Sequence, residues 1–202
     1  MRYTGPKARQ CRRHRTNLYG TAKYTKILER RAGKPGMHGN NVFGKLSEYG
    51  VQLKEKQKAR TMFGLSEKQF RNYVTKASKM QGETGENLLR LLEVRLDNVI
   101  YIAQFAITRI QSRQMASHGH FKLNGRRVDI PSIALRPGDK LELVSKLKTS
   151  PLYSELAKLK DFSPKWIQVD LKNMSLEVLS LPEKDDLEKS IDVQKIVEFY
   201  SR

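Results

Sequence analysis

Ser117-His118-Gly119-His120-Phe121-Lys122-Leu123-Asn124-Gly125-Arg126-Arg127-Val128-Asp129-Ile130 is where the chain changes period. Upstream, apolar residues recur every three to four positions, as on one face of a helix; from Phe121 they alternate, as in a half-buried strand. Asn124-Gly125 supplies the two positive-φ positions of a two-residue hairpin turn, and Arg126 to Ile130 returns as the second strand. Pro131 limits that strand, Arg136-Pro137-Gly138-Asp139 makes another turn, and Lys140-Leu141-Glu142-Leu143-Val144 alternates again. A small, strongly bent antiparallel sheet is expected.

Two helices precede it. Thr108 with Gln111 has capping-box spacing and opens a short helix on which Arg109 and Arg113 share one face while Ser112, Met115 and Ala116 point inward. Thr84-Gly85-Glu86-Asn87 starts an earlier one, with Leu88, Leu92, Leu96, Val99 and Ala103 on one side and Arg90 and Arg95 facing outward. Residues 92–150 therefore read as a module of two helices and a bent sheet, whose turn is flanked by Lys122, Arg126 and Arg127. Helix faces and turn together would make one concave cationic surface.

Further toward the N-terminus, Ser66 and Gln69 fit a capping box, and Phe70, Tyr73, Val74 and Ala77 form a stripe that reads as core rather than as a base-stacking platform. Leu46 to Gly50 leads into a helix over 51–58 that Phe63-Gly64 breaks, with Lys54 and Lys58 spaced to lie along a phosphate backbone. In the first 45 residues, basic clusters alternate with glycines and apolar periodicity is poor. This predicts an irregular arm that orders on a polyanion.

On the other side of the sheet, Lys146 to Lys160 is polar and helical at most in part. Residues 165–171 and 176–179 read as a hairpin, and Ile191 to Tyr200 as an amphipathic helix, both closing the core of the N-terminal helices. The fold class is α+β: a helical body and basic arm over 1–91, an inserted module over 92–150, and a C-terminal hairpin and helix over 151–202 that pack back on the body.

The charge is 39 Lys plus Arg against 21 Asp plus Glu, a net +18. Residues 1–60 carry +13, 61–140 carry +6 and 141–202 carry −1, so the polyanion-facing surface lies before the last quarter. Nucleic acid is the leading partner; DNA binders share such charge, while the helix pair with its cationic turn favours structured RNA. No stretch is long and apolar enough to cross a bilayer and the N-terminus has no apolar signal core, which predicts a soluble protein kept inside the cell or organelle. Cys11 is alone, which excludes an internal disulfide.

Arg95-Leu96-Asp97-Asn98-Val99, then Ser117 to Gly125, Ile130-Pro131-Ser132 and Pro137-Gly138-Asp139 closely resemble the S-four RNA-binding module in order and spacing. Outside it, Arg2-Tyr3-x-Gly5-Pro6-Lys7, Pro35-Gly36-Met37-His38-Gly39, Leu46 to Lys58, Gln69 to Tyr73, Gly82-x-Thr84-Gly85-Glu86-Asn87-Leu88-Leu89 and Ile196 to Arg202 look like the small-subunit ribosomal protein S-four family of bacterial and organellar type. The resemblance runs nearly end to end; residues 18–34 carry none of it.

It implies a structural constituent of the small ribosomal subunit, in the cytoplasm or an organelle's stroma or matrix. Such a protein binds the 5′ domain of small-subunit rRNA, helps nucleate assembly, contributes to translational accuracy with the neighbouring protein S-five, and lies near the point where mRNA enters. The RNA-binding residues expected are Arg2, Lys7, Arg12, Arg13, Arg15, Lys34, His38, Lys54, Lys58, Arg71, Arg95, Arg109, Arg113, His118, His120, Lys122, Asn124, Arg126 and Arg127. No cofactor, small-molecule substrate or membrane partner is expected.

Some family members bind zinc through an N-terminal cysteine cluster; Cys11 with the distant His14 and His38 does not give a structural zinc spacing, and no metal is expected. S-four modules also occur in RNA-modifying enzymes and tRNA synthetases, and a free-standing RNA-binding regulator is a further alternative. After residue 150 only about fifty residues remain, where a catalytic domain needs about 100 or more. His118 and His120 have no nearby carboxylate to orient them as acid and base, so they read as RNA contacts or local caps. Asp97 reads as a helix-surface partner for Arg90, Arg95 or Arg113. A membrane-surface or chaperone-like protein is disfavoured, because no helix pairs a wide apolar face with a lysine-rich one.

Overall fold

The computed structural model describes residues 3–31, 33–37, 39, 47–154 and 164–201, which fall into two compact units. The first, the body, is built from residues 1–88 and 189–202; the second, the module, from 89–188.

The body begins with α1 (Lys7–His14) and α2 (Ala22–Arg30). These two helices correct the expectation of an irregular arm. Only Cys11 and His14 are buried on α1 and nothing is on α2, so neither has an apolar stripe for a periodicity to reveal. They are held instead by Leu18 and Tyr19, buried between them in sequence, and by the Arg12 guanidinium. Its Nε donates to the Gly33 carbonyl at 3.1 Å and its Nη2 to that of Lys34 at 3.2 Å.

Ser47 caps α3 (Glu48–Met62), its hydroxyl accepting from the Gly50 amide at 3.3 Å, and Gly64, at φ +63°, allows the exit into α4 (Glu67–Ser78). The Ser66–Gln69 capping box forms, and Phe70, Val74 and Ala77 are buried. Then α5 (Thr84–Glu93) runs from the body into the module.

The last helix, α9 in chain order (Val193–Tyr200), packs along α3. Lys56 is the pivot: its ammonium is 2.7 Å from Glu67 and 4.3 Å from the centre of the Phe199 ring, and the Tyr200 hydroxyl donates to the same Glu67 at 2.9 Å. Gln52 donates to Glu198 at 3.0 Å, and the Lys58 ammonium donates to the Ser190 carbonyl. The expectation that the C-terminal helix completes the body therefore matches this packing.

The module opens with a break that the leucine spacing conceals. Instead of one helix through Ala103, α5 ends at Glu93 and α6 (Leu96–Ile102) starts after an extended Arg95. Segment 131–135 claims the backbone there: Leu135 donates to the Val94 carbonyl at 2.9 Å, Leu96 to Ile133 at 2.8 Å and Asp97 to Pro131 at 3.1 Å. After α7 (Arg109–Ser117) come β1 (Phe121–Leu123), β2 (Arg126–Val128) and β3 (Lys140–Leu143), then a one-turn α8 (Pro151–Ser154), β4 (Ile167–Asp170) and β5 (Ser175–Val178).

All five strands form one antiparallel sheet in the order β2-β1-β3-β5-β4, with Phe121 opposite Val128 and Leu143, and Leu141 opposite Leu176. The C-terminal hairpin thus extends the module's sheet and belongs to the unit 89–188, a correction to the expectation that it completes the body and to the division expected at residue 150. The reason is β3: its far edge is open to pairing, and its Leu141 and Leu143 bury on the same core as Ile167, Leu176 and Val178. That core also takes in Leu96, Val99, Ile100, Phe105, Met115, Phe121 and Trp166, with Phe105 stacked on Phe121 at 6.0 Å. Among the described residues no helix is long and apolar enough to cross a membrane.

Candidate nucleic-acid interface

In the module, Asn124 and Gly125 both have positive φ, 49° and 81°, and turn β1 into β2 as expected. The turn presents Arg126, exposed, beside half-buried Lys122. Asn124 itself is committed to the fold: its Nδ2 donates to Asp139 at 2.8 Å and its Oδ1 accepts from the Lys140 amide at 2.9 Å, stitching two turns together.

Arg127 reaches back to the end of α7, donating Nε to the Gly119 carbonyl at 2.7 Å and Nη2 to that of His118 at 3.0 Å, where a cation meets the negative helix end. Gly119 has φ +66°, and a Cβ there would come within 2.6 Å of the Arg127 Nε. His118 is exposed, whereas His120 shares a 2.7 Å hydrogen bond between its Nδ1 and the Tyr153 hydroxyl. Burial and then His118 and Arg127 lower the His120 pKa, so its ring is neutral near pH 7. The two histidines join Gln111, Gln114, Met115 and Leu152 around an open cleft of about 250 Å³.

Arg95, expected to face outward and to bind RNA, is 2 % exposed. Its Nε and Nη2 make a two-pronged bond to Asp97 at 3.0 and 2.9 Å, and Arg113 adds a third donor to that carboxylate at 3.1 Å. Asp97 does pair with Arg95 and Arg113, but inside the module rather than on a helix surface.

Arg109 is likewise engaged: Nε donates to Asn98 at 2.8 Å, Nη2 to Glu188 at 3.2 Å, and the guanidinium lies 4.6 Å from the Tyr101 ring centre. Asn98 in turn donates to the Glu93 carboxylate. Glu93 is buried, and desolvation, against the opposing pull of Arg109 and Asn98, raises its pKa to about 7. Sequence pattern marked Arg95, Arg109 and Arg113 as cations but could not show that carboxylates and amides wait for them.

In the body, Arg13, Arg15 and Arg71 are exposed, Lys7 stands 5.8 Å over the Tyr19 ring, and Arg12 is spent on the backbone bonds described above. Lys34 and Lys54 are half-buried, and Lys58 holds Glu55 at 3.3 Å besides Ser190. Arg2 and His38 lie outside the described residues. The structure adds Arg9, Lys23, Lys26, Arg30 and Arg31, all exposed on or just after α1 and α2. Their signal was present as charge and became a surface only once these segments proved helical. Among the described residues no three His, Cys, Asp or Glu side chains group as a metal site.

A helix pair laced to a bent antiparallel sheet, with a basic hairpin turn beside the second helix, defines an RNA-binding protein of the S4-domain class, and the S4 domain profile matches residues 94–141. The Ribosomal protein S4/S9 N-terminal domain matches residues 2–93. Over the whole chain and 99 % of each relative, the sequence is 48 % identical to the small ribosomal subunit protein uS4 of Thermodesulfovibrio yellowstonii, 47 % to that of Heliobacterium modesticaldum and 45 % to that of Latilactobacillus sakei. The chain belongs to the uS4 family of ribosomal proteins. This is a structural, non-enzymatic family, which sets aside the RNA-modifying enzyme.

Proposed function

We propose that the protein is a primary rRNA-binding constituent of the small ribosomal subunit that holds the 5′ domain of small-subunit rRNA, helps nucleate assembly, and supports translational accuracy beside protein S-five near the point where mRNA enters. Its relatives' names support the ribosomal part directly.

One observation carries the RNA part: among the described residues, a set of exposed cations in the body takes no part in its ion pairs. Arg9, Arg13, Arg15, Lys23, Lys26, Arg30 and Arg31 are exposed on α1, α2 and their ends, while the ion pairs join Lys56 and Arg60 to Glu67, Lys58 to Glu55 and Lys195 to Asp192. Such charge binds by releasing counterions from phosphates, with little dependence on base identity. On the module, Arg126 and Lys122 offer further positive charge, and exposed His118 a polar ring, suited to phosphate and 2′-hydroxyl contacts.

The test is binding of a 5′-domain rRNA transcript across a salt series. Log affinity should fall linearly with log salt, with a slope reflecting about six to ten phosphates. A slope of one or two, or footprints on full-length small-subunit rRNA scattered beyond the 5′ domain, would overturn the reading.

A further inference from the structure

His14 closes α1 with 7 % of its surface exposed, and its Nδ1 has no hydrogen-bond partner among the described residues. A buried imidazole ordinarily finds a carbonyl or carboxylate for each ring nitrogen. The charged groups that face this one are cations: Arg13 from its own helix, and Lys54 and Lys58 from α3. Lys54 in turn faces Arg15 at the end of α1 and Lys34 from the loop that Arg12 pins to α1. Glu55 is the acid on that side, and Lys58 holds its carboxylate at 3.3 Å.

Burial first, then Lys54, Arg13 and Lys58, bring the His14 pKa down to about 4, so the ring is neutral at pH 7. Lys54 is lowered too, by burial and then by Lys34 and Arg15. Like charges gathered in a partly desolvated place repel one another, and the arrangement gains most from an anion that neutralises several at once.

We infer that Arg15, Lys34 and Lys54 form a proton-coupled phosphate site over His14, in which a docking RNA phosphate brings a proton from solvent onto the buried ring. The phosphate offsets part of the positive field at the imidazole, whose unprotonated nitrogen takes up the proton to give imidazolium; no other bond forms or breaks. The empty site is spared one more buried positive charge, and the filled site gains one. The inference rests on the RNA-binding reading above and adds a titrating group to it.

Binding of the 5′-domain transcript to the full-length chain, followed at constant ionic strength from pH 7.5 to 5.5, tests it. Uptake of a whole proton strengthens binding tenfold per pH unit, and partial uptake over this window should give about a three- to tenfold gain beyond that shown by His14→Gln. The comparison is with the variant because exposed histidines titrate in both proteins.

Ring-proton NMR of His14 gives a second readout that does not depend on the variant folding. Its titration midpoint should rise by about two pH units or more with transcript bound, from about 4 to about 6, the rise that a gain of threefold or more requires. The same rise with inorganic phosphate alone supports the site and makes phosphate itself a sufficient occupant; a rise with transcript only assigns it to the RNA backbone. An unmoved midpoint, or a wild-type slope retained in His14→Gln, overturns the proposal. Binding that is steep in salt but equal in pH dependence for both proteins overturns it while leaving the RNA-binding function intact, and absence of transcript binding at every pH overturns both.

Discussion

Asp97 accepts from two arginines inside the module, and the two are not equivalent. Arg95 is sealed in with it, so Arg95→Ala leaves a buried carboxylate short of its main partner and should lower stability by about 3–5 kcal/mol in urea titrations. Arg113 is a quarter exposed and supplies one bond of three, so its loss should cost about 1 kcal/mol. The sequence alone suggests that Arg109→Ala with Arg113→Ala weakens RNA binding while leaving the melting temperature within a few degrees; with Asn98, Glu188 and Asp97 as their partners, a clear loss of stability is expected instead. Arg126 at the turn is the contrasting case. Arg126→Ala should stay within about 0.5 kcal/mol of wild-type stability and reduce the salt slope of RNA binding by about one. Charge could be counted in the sequence at all four positions, but which cation reaches solvent is decided by folded partners, Asp97 turned inward beside Arg95 and Glu188 far along the chain from Arg109.

Elements were legible where a local rule governs them. The Ser66–Gln69 box, the Thr108 cap and the Asn124-Gly125 turn appear as read, because each is fixed by residues three or fewer apart. The break at Val94-Arg95 was hidden, since its cause is the strip 131–135 laid across it. So was the destination of β4 and β5: a hairpin's own pattern does not say which edge it joins. That placement has a consequence for fragments. Residues 89–188 should fold cooperatively on their own, whereas 92–150 should not, because it loses Trp166, Ile167, Leu176 and Val178 from the core and bares the β3 edge. Amide exchange will check this: protection of β1 and β3 in the longer fragment and none in the shorter, with equal protection in both refuting it.

At the scale of the molecule, the two units should answer acid to different extents. His14 belongs to the body, with a folded pKa of about 4 against 6.5 unfolded, so the stability it preserves is full above pH 6.5 and is lost as the pH falls toward 4. After discounting for partial solvent access this amounts to about 2 kcal/mol. Glu93 belongs to the module, with a folded pKa of about 7 against 4.5; the stability of its protonated form is full below 4.5 and is lost as the pH rises through 7. In the module His120, whose pKa is lowered, opposes Glu93, so acidifying from pH 7 to 5 should weaken the body more than the module, seen as a larger fall of the body's calorimetric transition; equal shifts would contradict it. The pairing of α3 with α9 bears on time as well as on stability. Because synthesis proceeds from the N-terminus, α3 must wait for α9 before its face is covered, while the module's sheet can close as soon as β5 has been made. A nascent chain halted after β5 would carry a closed sheet while the α3 face is still uncovered.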